Sequence, residues 1–239
     1  MKTDPYHIVS YIYDHLMQKL SYQDWANYIS DIKTVYKNDA KNFLELACGT
    51  GKLKKYLERV FDDIVMVDLS KSMLDKVPQN SNRLCADMTL LPFKNEFDFI
   101  YSTFDSINYI TDEEEIKRYF SEVREILSFD GVFTFDASLE NNSLKNIKRL
   151  NRSGKYRGLK YTQSSKYDKN EMLHKNSFTL ELENGEIINE VHTQKIYDFE
   201  FYFDISEIAG LKVIDCYEAF TFEDANSENE RIQFIMKKL

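Results

Sequence analysis

Glu45-Leu-Ala-Cys48-Gly49-Thr50-Gly51 runs from a short apolar stretch into a glycine-rich turn, and a helical pattern over Lys52 to Arg59 follows. Glycines at 49 and 51 let the backbone turn tightly and approach a ligand where a β-carbon would intrude. The turn is therefore a binding element. A dinucleotide is the first candidate, but the third glycine or alanine of GxGxxG is Lys54 here, and the Lys-Ser/Thr ending of an NTPase loop does not follow. Asp68 comes 17 residues after Gly51 at the end of a second apolar run, where a carboxylate can accept both hydroxyls of a ribose. Asp87 and Met88 close Cys85-Ala-Asp-Met88 and bring another carboxylate and an apolar side chain to the edge that Leu69 occupies. Ligands of open α/β sheets bind at that carboxyl edge. Together these requirements describe adenosine without a diphosphate.

Holding such residues in place takes a parallel sheet, and the sequence alternates accordingly. Residues 43–47, 64–67, 83–86, 97–103 and 132–135 each read as a short buried strand. Between the last two, Thr111-Asp-Glu-Glu114 has the form of a capping box; Ile116, Tyr119, Phe120, Val123, Ile126 and Leu127 then recur at helical spacing, with Gly131 as the break. Pro78 shortens the helix after the second strand. Before the core, Tyr6, Tyr11, Tyr13, Tyr22, Trp25, Tyr28 and Tyr36 predict one or two amino-terminal helices over the sheet edge or its cleft, one starting at Ser21. After the core the period changes over 157–167, 171–182 and 186–196, with Asn184-Gly185 as a hairpin signal. The chain returns with a helix near 204–209 and strands at 211–217 and 231–236 that can pair as an antiparallel hairpin.

The chain has 239 residues, 43% hydrophobic and 30% charged, with three prolines and seven glycines, which fits one large domain with an insertion and excludes collagen-like, low-complexity and disordered classes. No apolar run approaches the roughly 20 residues that crossing a bilayer requires, and the amino terminus lacks the apolar stretch of a signal peptide. A soluble cytoplasmic protein without a membrane partner is the expectation. Cys48, Cys85 and Cys216 form neither a disulfide framework nor a zinc knuckle, and His7, His15, His174 and His192 fall in no metal-binding spacing, so no metal is expected. A formal charge of −9 speaks against a general nucleic-acid partner. Residues 145–175 carry ten Lys/Arg against two acids, a segment of +8 in a remainder of −17. That run is either a solvated face or an anion site.

In four pieces the sequence resembles the class I S-adenosylmethionine-dependent methyltransferases: Glu45 to Gly51, Val67-Asp-Leu-Ser-Lys-Ser-Met-Leu74, Cys85 to Met88, and Phe97-Asp-Phe-Ile-Tyr-Ser-Thr-Phe104. Tyr13-Asp14 and Trp25 resemble the amino-terminal lid of a subgroup that includes aminosugar N,N-dimethyltransferases and glycine N-methyltransferase-like enzymes. The resemblance implies an α/β, Rossmann-like fold: a seven-stranded, mostly parallel sheet with an antiparallel edge strand, plus a small inserted antiparallel β layer. It divides the chain into lid helices over 1–37, a Rossmann-like domain over 38–144 and 198–239, and the insertion over 145–197. S-adenosylmethionine would be the cofactor and S-adenosylhomocysteine its product. Glu45 would approach the methionine ammonium, Gly49 and Gly51 admit the methionine and ribose portion, and Asp68 hold the ribose hydroxyls. Asp87 would meet the adenine amino group and Leu69 and Met88 the ring faces. Tyr13, Trp25, Ala47, Cys48, Met73 and Phe104 would complete the pocket.

A sulfonium methyl is already activated, so such an enzyme mainly aligns an acceptor lone pair about 3 Å away and excludes water. A polar group beside the acceptor can still serve as base or orienter. Asp105, Ser106, Asn108 and Tyr109, after the fourth strand, are the candidates; the alternative for the first three is that they turn and cap the chain. The acceptor pocket would be walled by the insertion, where Arg152, Tyr156 and Arg157 could bind an anionic or nucleotide-linked small molecule, an amine or hydroxyl being methylated. An RNA or protein methyltransferase using the basic run, and a nucleoside-binding protein without turnover, are the alternatives.

Overall fold

The computed structural model describes residues 4–94 and 96–239. A 3-10 turn Val9–Tyr11 and helices α1 (Tyr13–Leu16) and α2 (Tyr22–Tyr36) precede the alternating core: β1 (Phe43–Leu46), α3 (Lys54–Leu57), β2 (Val65–Asp68), α4 (Lys71–Leu74), β3 (Arg83–Cys85), β4 (Phe97–Ser102), α5 (Glu113–Ile126) and β5 (Leu127–Ser138). Helix α6 (Glu140–Arg149) leads into β6 (Arg152–Tyr156), β7 (Leu159–Asp168), β8 (Leu173–Glu181) and β9 (Ile187–Lys195); α7 (Phe201–Ile208), β10 (Leu211–Glu218) and β11 (Arg231–Lys238) close the chain.

Seven strands form one sheet in the order β10-β11-β5-β4-β1-β2-β3. Pairing is parallel from β3 through β5, and β11 runs antiparallel to both β5 and β10. The antiparallel strand thus lies one position inside the edge, with β10 outside it. Short strands buried on both faces need apolar residues at nearly every position. Leu44, Leu46, Ile100, Phe133 and Phe135 pack with the apolar stripe of α5 and with Tyr202 of α7. On the other face Phe43, Met66, Phe99 and Tyr101 meet Trp25, Ile29 and Ile32 of α2 and Leu57 of α3. Chain order reverses between β1 and β4, which opens a crevice at their carboxyl ends.

Several boundaries differ from the sequence expectation, each for a local reason. Helix α5 is capped by Asp112, which accepts the Glu115 amide at 3.0 Å, and Thr111 lies outside it. The capping box is displaced by one residue because Asp112 offers a carboxylate to the positive helix end. Gly131 lies inside β5; the ladder runs from Phe97↔Leu127 to Phe99↔Val132, so residues 128–131 bulge within the strand. Helices α3 and α4 are single turns, α4 ending ahead of Pro78. Ser21 does cap α2, accepting the Asp24 amide at 3.1 Å.

The inserted layer has four antiparallel strands, β6-β7-β8-β9, one more than the period change showed, and α6 before it was not foreseen. Gly185 takes φ +83° in the expected Asn-Gly turn. Three of the ten basic residues in the run pair with acids outside it: Lys145 with Glu230 at 2.5 Å, Lys160 with Glu181 at 2.7 Å and Lys169 with Glu140 at 3.0 Å. Alternation turns Gln163, Ser165, His174, Asn176, His192 and Gln194 inward, all buried. An inner face so rich in polar groups is not what packing alone selects.

Candidate active site

A cavity of about 650 Å³ lies at the carboxyl edge of the sheet, roofed by the inserted layer and the amino-terminal segment. Its floor begins at the turn after β1, where Ala47, Gly49 and Gly51 take φ of +55°, +56° and +66°. The Gly49 amide donates to Asp68 Oδ2 at 2.7 Å and the Ser70 amide to Oδ1 at 2.8 Å, which locks the carboxylate to the turn. Each carboxylate oxygen keeps a second acceptor site. Burial pushes Asp68 up to about 6 against those two amides. Glu45, 2% exposed on β1, is raised further, to about 8, again by burial; the Tyr101 hydroxyl, donating at 3.3 Å, only partly opposes it.

Two carboxylates, Glu45 buried and Asp68 half-buried, that line one cavity and are short of compensating charge fit a ligand with an ammonium and a pair of hydroxyls. Asp87 lines the same wall, its Oδ1 accepting the Thr89 amide at 2.9 Å and the Thr89 hydroxyl at 2.8 Å. Ala47, Cys48, Gly49, Leu69, Met73, Met88 and Phe104 also line it. Tyr13 does so from the amino-terminal segment, edge-on to Tyr6 at 5.8 Å. That segment is tied down over the crevice: Thr50 donates to Asp14 Oδ1 at 3.1 Å, the Ser72 amide to Asp4 Oδ2 at 3.0 Å, and the Ile8 amide to Glu190 Oε2 at 2.7 Å.

Two residues expected in this pocket lie outside it. Gly51 is buried behind the turn, where an added β-carbon would meet Val77 at 3.0 Å. Trp25 packs between Phe104 at 4.8 Å and Phe220 at 4.6 Å and lines a neighbouring cavity.

Asp105, Ser106 and Tyr109 do line the cavity, but the first two are engaged by the fold. Asp105, at φ +51°, accepts Arg231 Nη2 at 2.9 Å on Oδ1, and Gln194 Nε2 at 2.9 Å and the Ser138 hydroxyl at 3.1 Å on Oδ2. Ser106 donates to the Thr103 carbonyl at 2.7 Å and turns the chain. Asn108 is wholly buried outside the cavity, clamping the Ser138 amide and carbonyl and the Lys195 carbonyl. The Tyr109 hydroxyl accepts from Tyr6 at 2.5 Å, and burial raises its pKa. Of the basic candidates Arg152 lines the cavity and donates to Gln163 Oε1 at 2.8 Å. Tyr156 instead stacks on His15 at 4.5 Å, and Arg157 lies over the Tyr156 ring at 5.3 Å, both away from it.

Beyond these, the cavity is lined by Asn142, Asn146, Arg149, Gln163, Asn176, His192, Gln194 and Arg231, none of them expected there from the sequence. The available signal was polar residues at alternate positions of β7, β8 and β9, which alternation sends inward. Among the described residues no group of three or more His, Cys, Asp or Glu is placed to hold a metal ion, and no helix is long and apolar enough to cross a membrane.

Residues 43–152 match the family described as "Methyltransferase domain". A protein of Geobacillus sp. (strain WCH70), provisionally named a methyltransferase, is 27% identical over 98% of this chain and 99% of its own length. An S-adenosylmethionine-dependent methyltransferase from Clostridium acetobutylicum ATCC 824 superposes with a TM-score of 0.79 at 24% identity, covering 98% of each chain. The sugar N-methyltransferase KedS8 from Streptoalloteichus sp ATCC 53650 superposes at 0.76 and 16% identity, over 95% of this chain and 93% of that one.

Proposed function

The chain belongs to the class I S-adenosylmethionine-dependent methyltransferases, and from that premise we propose that it methylates a nitrogen or oxygen of a small, hydroxyl-rich metabolite. One observation carries this reading: the buried amides of Gln163, Asn176 and Gln194 face the cavity that Glu45 and Asp68 line at its other end. Side-chain amides donate and accept at once, the chemistry that recognises hydroxyls. Arg149 and Arg152 at the same end suit an anionic group on the acceptor. The likeness to a sugar N-methyltransferase agrees with an amine on a sugar-like frame.

When bound, S-adenosylmethionine supplies an electrophilic methyl on a positively charged sulfur. Everything else falls to this chain's residues. Asp68 would accept the ribose hydroxyls, held in orientation by the Gly49 and Ser70 amides. Glu45 would take the methionine ammonium as counter-ion. Tyr13 and Tyr6 would cover the reacting end and exclude water, which strengthens every polar contact inside. Holding both partners in line provides most of the acceleration, since effective molarities of aligned groups reach about 10⁵ M or more.

A polymer acceptor is disfavoured because the acceptor end of the cavity is walled by α6 and the inserted sheet. Incubating the protein with a metabolite extract and methyl-labelled S-adenosylmethionine, then resolving products by mass spectrometry, tests the proposal. Label in a small polar amine or alcohol supports it. Label confined to RNA or protein, or none, rejects it.

A further inference from the structure

Strand β9 carries Glu190, His192 and Gln194 on its inner face. His192 is 5% exposed and lines the acceptor end of the cavity. Its Nε2 lies 2.7 Å from Glu190 Oε1. The other oxygen of Glu190 accepts the Ile8 amide at 2.7 Å and the Val9 amide at 3.2 Å, so the carboxylate is anchored from two sides. Burial pushes Glu190 up, but His192 and the two amides outweigh it and keep its pKa below the ordinary value. The imidazole is gripped by Tyr6 at 4.1 Å, Phe178 at 5.5 Å and Tyr109 at 6.0 Å. Nε2 and Glu190 Oε1 face each other at that distance and neither makes a hydrogen bond to any other described group, so the carboxylate selects the tautomer with its proton on Nε2 and leaves the lone pair on Nδ1.

We propose that His192, oriented by Glu190, is the general base that takes a proton from the acceptor. This rests on the methyl-transfer reading above. The other polar groups near the acceptor do not serve: Asp105 is held by Arg231, Gln194 and Ser138, and Tyr109 keeps its proton. The acceptor, an ammonium or an alcohol, gives one proton to Nδ1, and the imidazolium is stabilised against the Glu190 carboxylate. The lone pair so freed bonds to the methyl carbon as the carbon–sulfur bond breaks, and that pair stays on sulfur as a neutral thioether. The proton passes to solvent when product leaves. A carboxylate–imidazole pair positioned beside the acceptor can act as general base.

The groups facing the ring are Glu190 from its own strand, Tyr6 from the amino-terminal segment and Tyr109 after β4. Glu190→Gln removes the carboxylate that faces Nε2, so the ring loses the group that fixes its orientation while keeping its own lone pair. Methylation of extract components by wild type, His192→Asn and Glu190→Gln is compared, alongside S-adenosylhomocysteine binding by calorimetry and nitrogen NMR of His192 in that complex. His192→Asn should lower methyl transfer by about 10² to 10⁴-fold and leave S-adenosylhomocysteine affinity within about threefold. Glu190→Gln should lose less. The NMR spectrum of the wild type should show a proton on Nε2 and none on Nδ1 near neutral pH. An active wild type matched by His192→Asn, or a proton on Nδ1, overturns the base. A wild type that methylates nothing overturns the methyl-transfer reading and the base with it.

Discussion

The Tyr101 hydroxyl donates to Glu45 Oε2 at 3.3 Å, and among the described residues it is the one hydrogen bond to that buried side chain. A single long bond does not offset the loss of water, so Glu45 holds its proton up to about pH 8.

Ligand binding is consequently coupled to proton release. An ammonium favours the ionised acid, so S-adenosylhomocysteine binding at pH 7 should expel up to one proton, less as pH passes 8. Calorimetry in buffers of different ionisation enthalpy measures this, and Glu45→Gln should abolish it. For the unliganded protein the sign is also fixed. An acid raised from 4.5 to about 8 binds its proton more tightly folded than unfolded, so stability falls as pH rises through that window. Glu45→Gln should flatten the fall while weakening ligand binding about tenfold or more. Equal proton release by both proteins would remove Glu45 from the ammonium site.

The two glycines of the turn should separate stability from binding. At Gly51 a β-carbon meets Val77 at 3.0 and 3.2 Å and Met66 at 3.4 Å, with φ +66°. Gly51→Ala should cost about 2 kcal/mol in urea unfolding. At Gly49 the same atom meets only Met73, at 3.9 Å, so Gly49→Ala carries the strain of its φ of +56° alone. Its larger effect should be on S-adenosylhomocysteine affinity, because Gly49 lines the cavity and its amide orients Asp68.

The contrast between these glycines marks what the sequence could show. Spacing identified the turn, Asp68 and Asp87, because strand ends and a tight turn leave local signatures. It could not tell that Gly51 points into the core, which depends on where Val77 returns. Asp105 and Asn108 looked catalytic for their position after β4, yet their partners Arg231, Gln194, Ser138 and Lys195 arrive from 30 to 126 residues away. The acceptor wall was the least legible part, because Gln163, Asn176 and His192 read as ordinary strand residues until the sheet folds over the crevice.

Arg152 and Arg157, close in sequence, should behave differently. Arg152→Glu should raise the acceptor KM about tenfold or more and leave S-adenosylhomocysteine affinity unchanged, since it lines the acceptor end beside Gln163. Arg157→Glu, at the exposed β6–β7 turn over Tyr156, should match wild type. Steady-state kinetics on the labelled product identified from extract decide it. Equal effects would mean that the whole basic run acts through its field.

Arg231 bridges two carboxylates, Asp105 at 2.9 Å and Asp136, and lies 5.7 Å over the Trp25 ring. Asp136 is wholly buried and pushed up to about 6 by burial, with Arg231 opposing the rise. Arg231→Met therefore leaves an uncompensated buried charge above that pH and should cost about 3 kcal/mol in urea unfolding at pH 8. Below pH 6 Asp136 takes up a proton, more readily in the variant, so the deficit should shrink by pH 5.5. Adding Asp136→Asn to Arg231→Met should recover much of the loss at pH 8. The effect also reaches the site: Asp105, released from Arg231, no longer fixes Gln194, so methyl transfer should fall while S-adenosylhomocysteine still binds. A deficit equal at both pH values would show instead that Arg231 contributes by packing on Trp25, and the charge argument would fail.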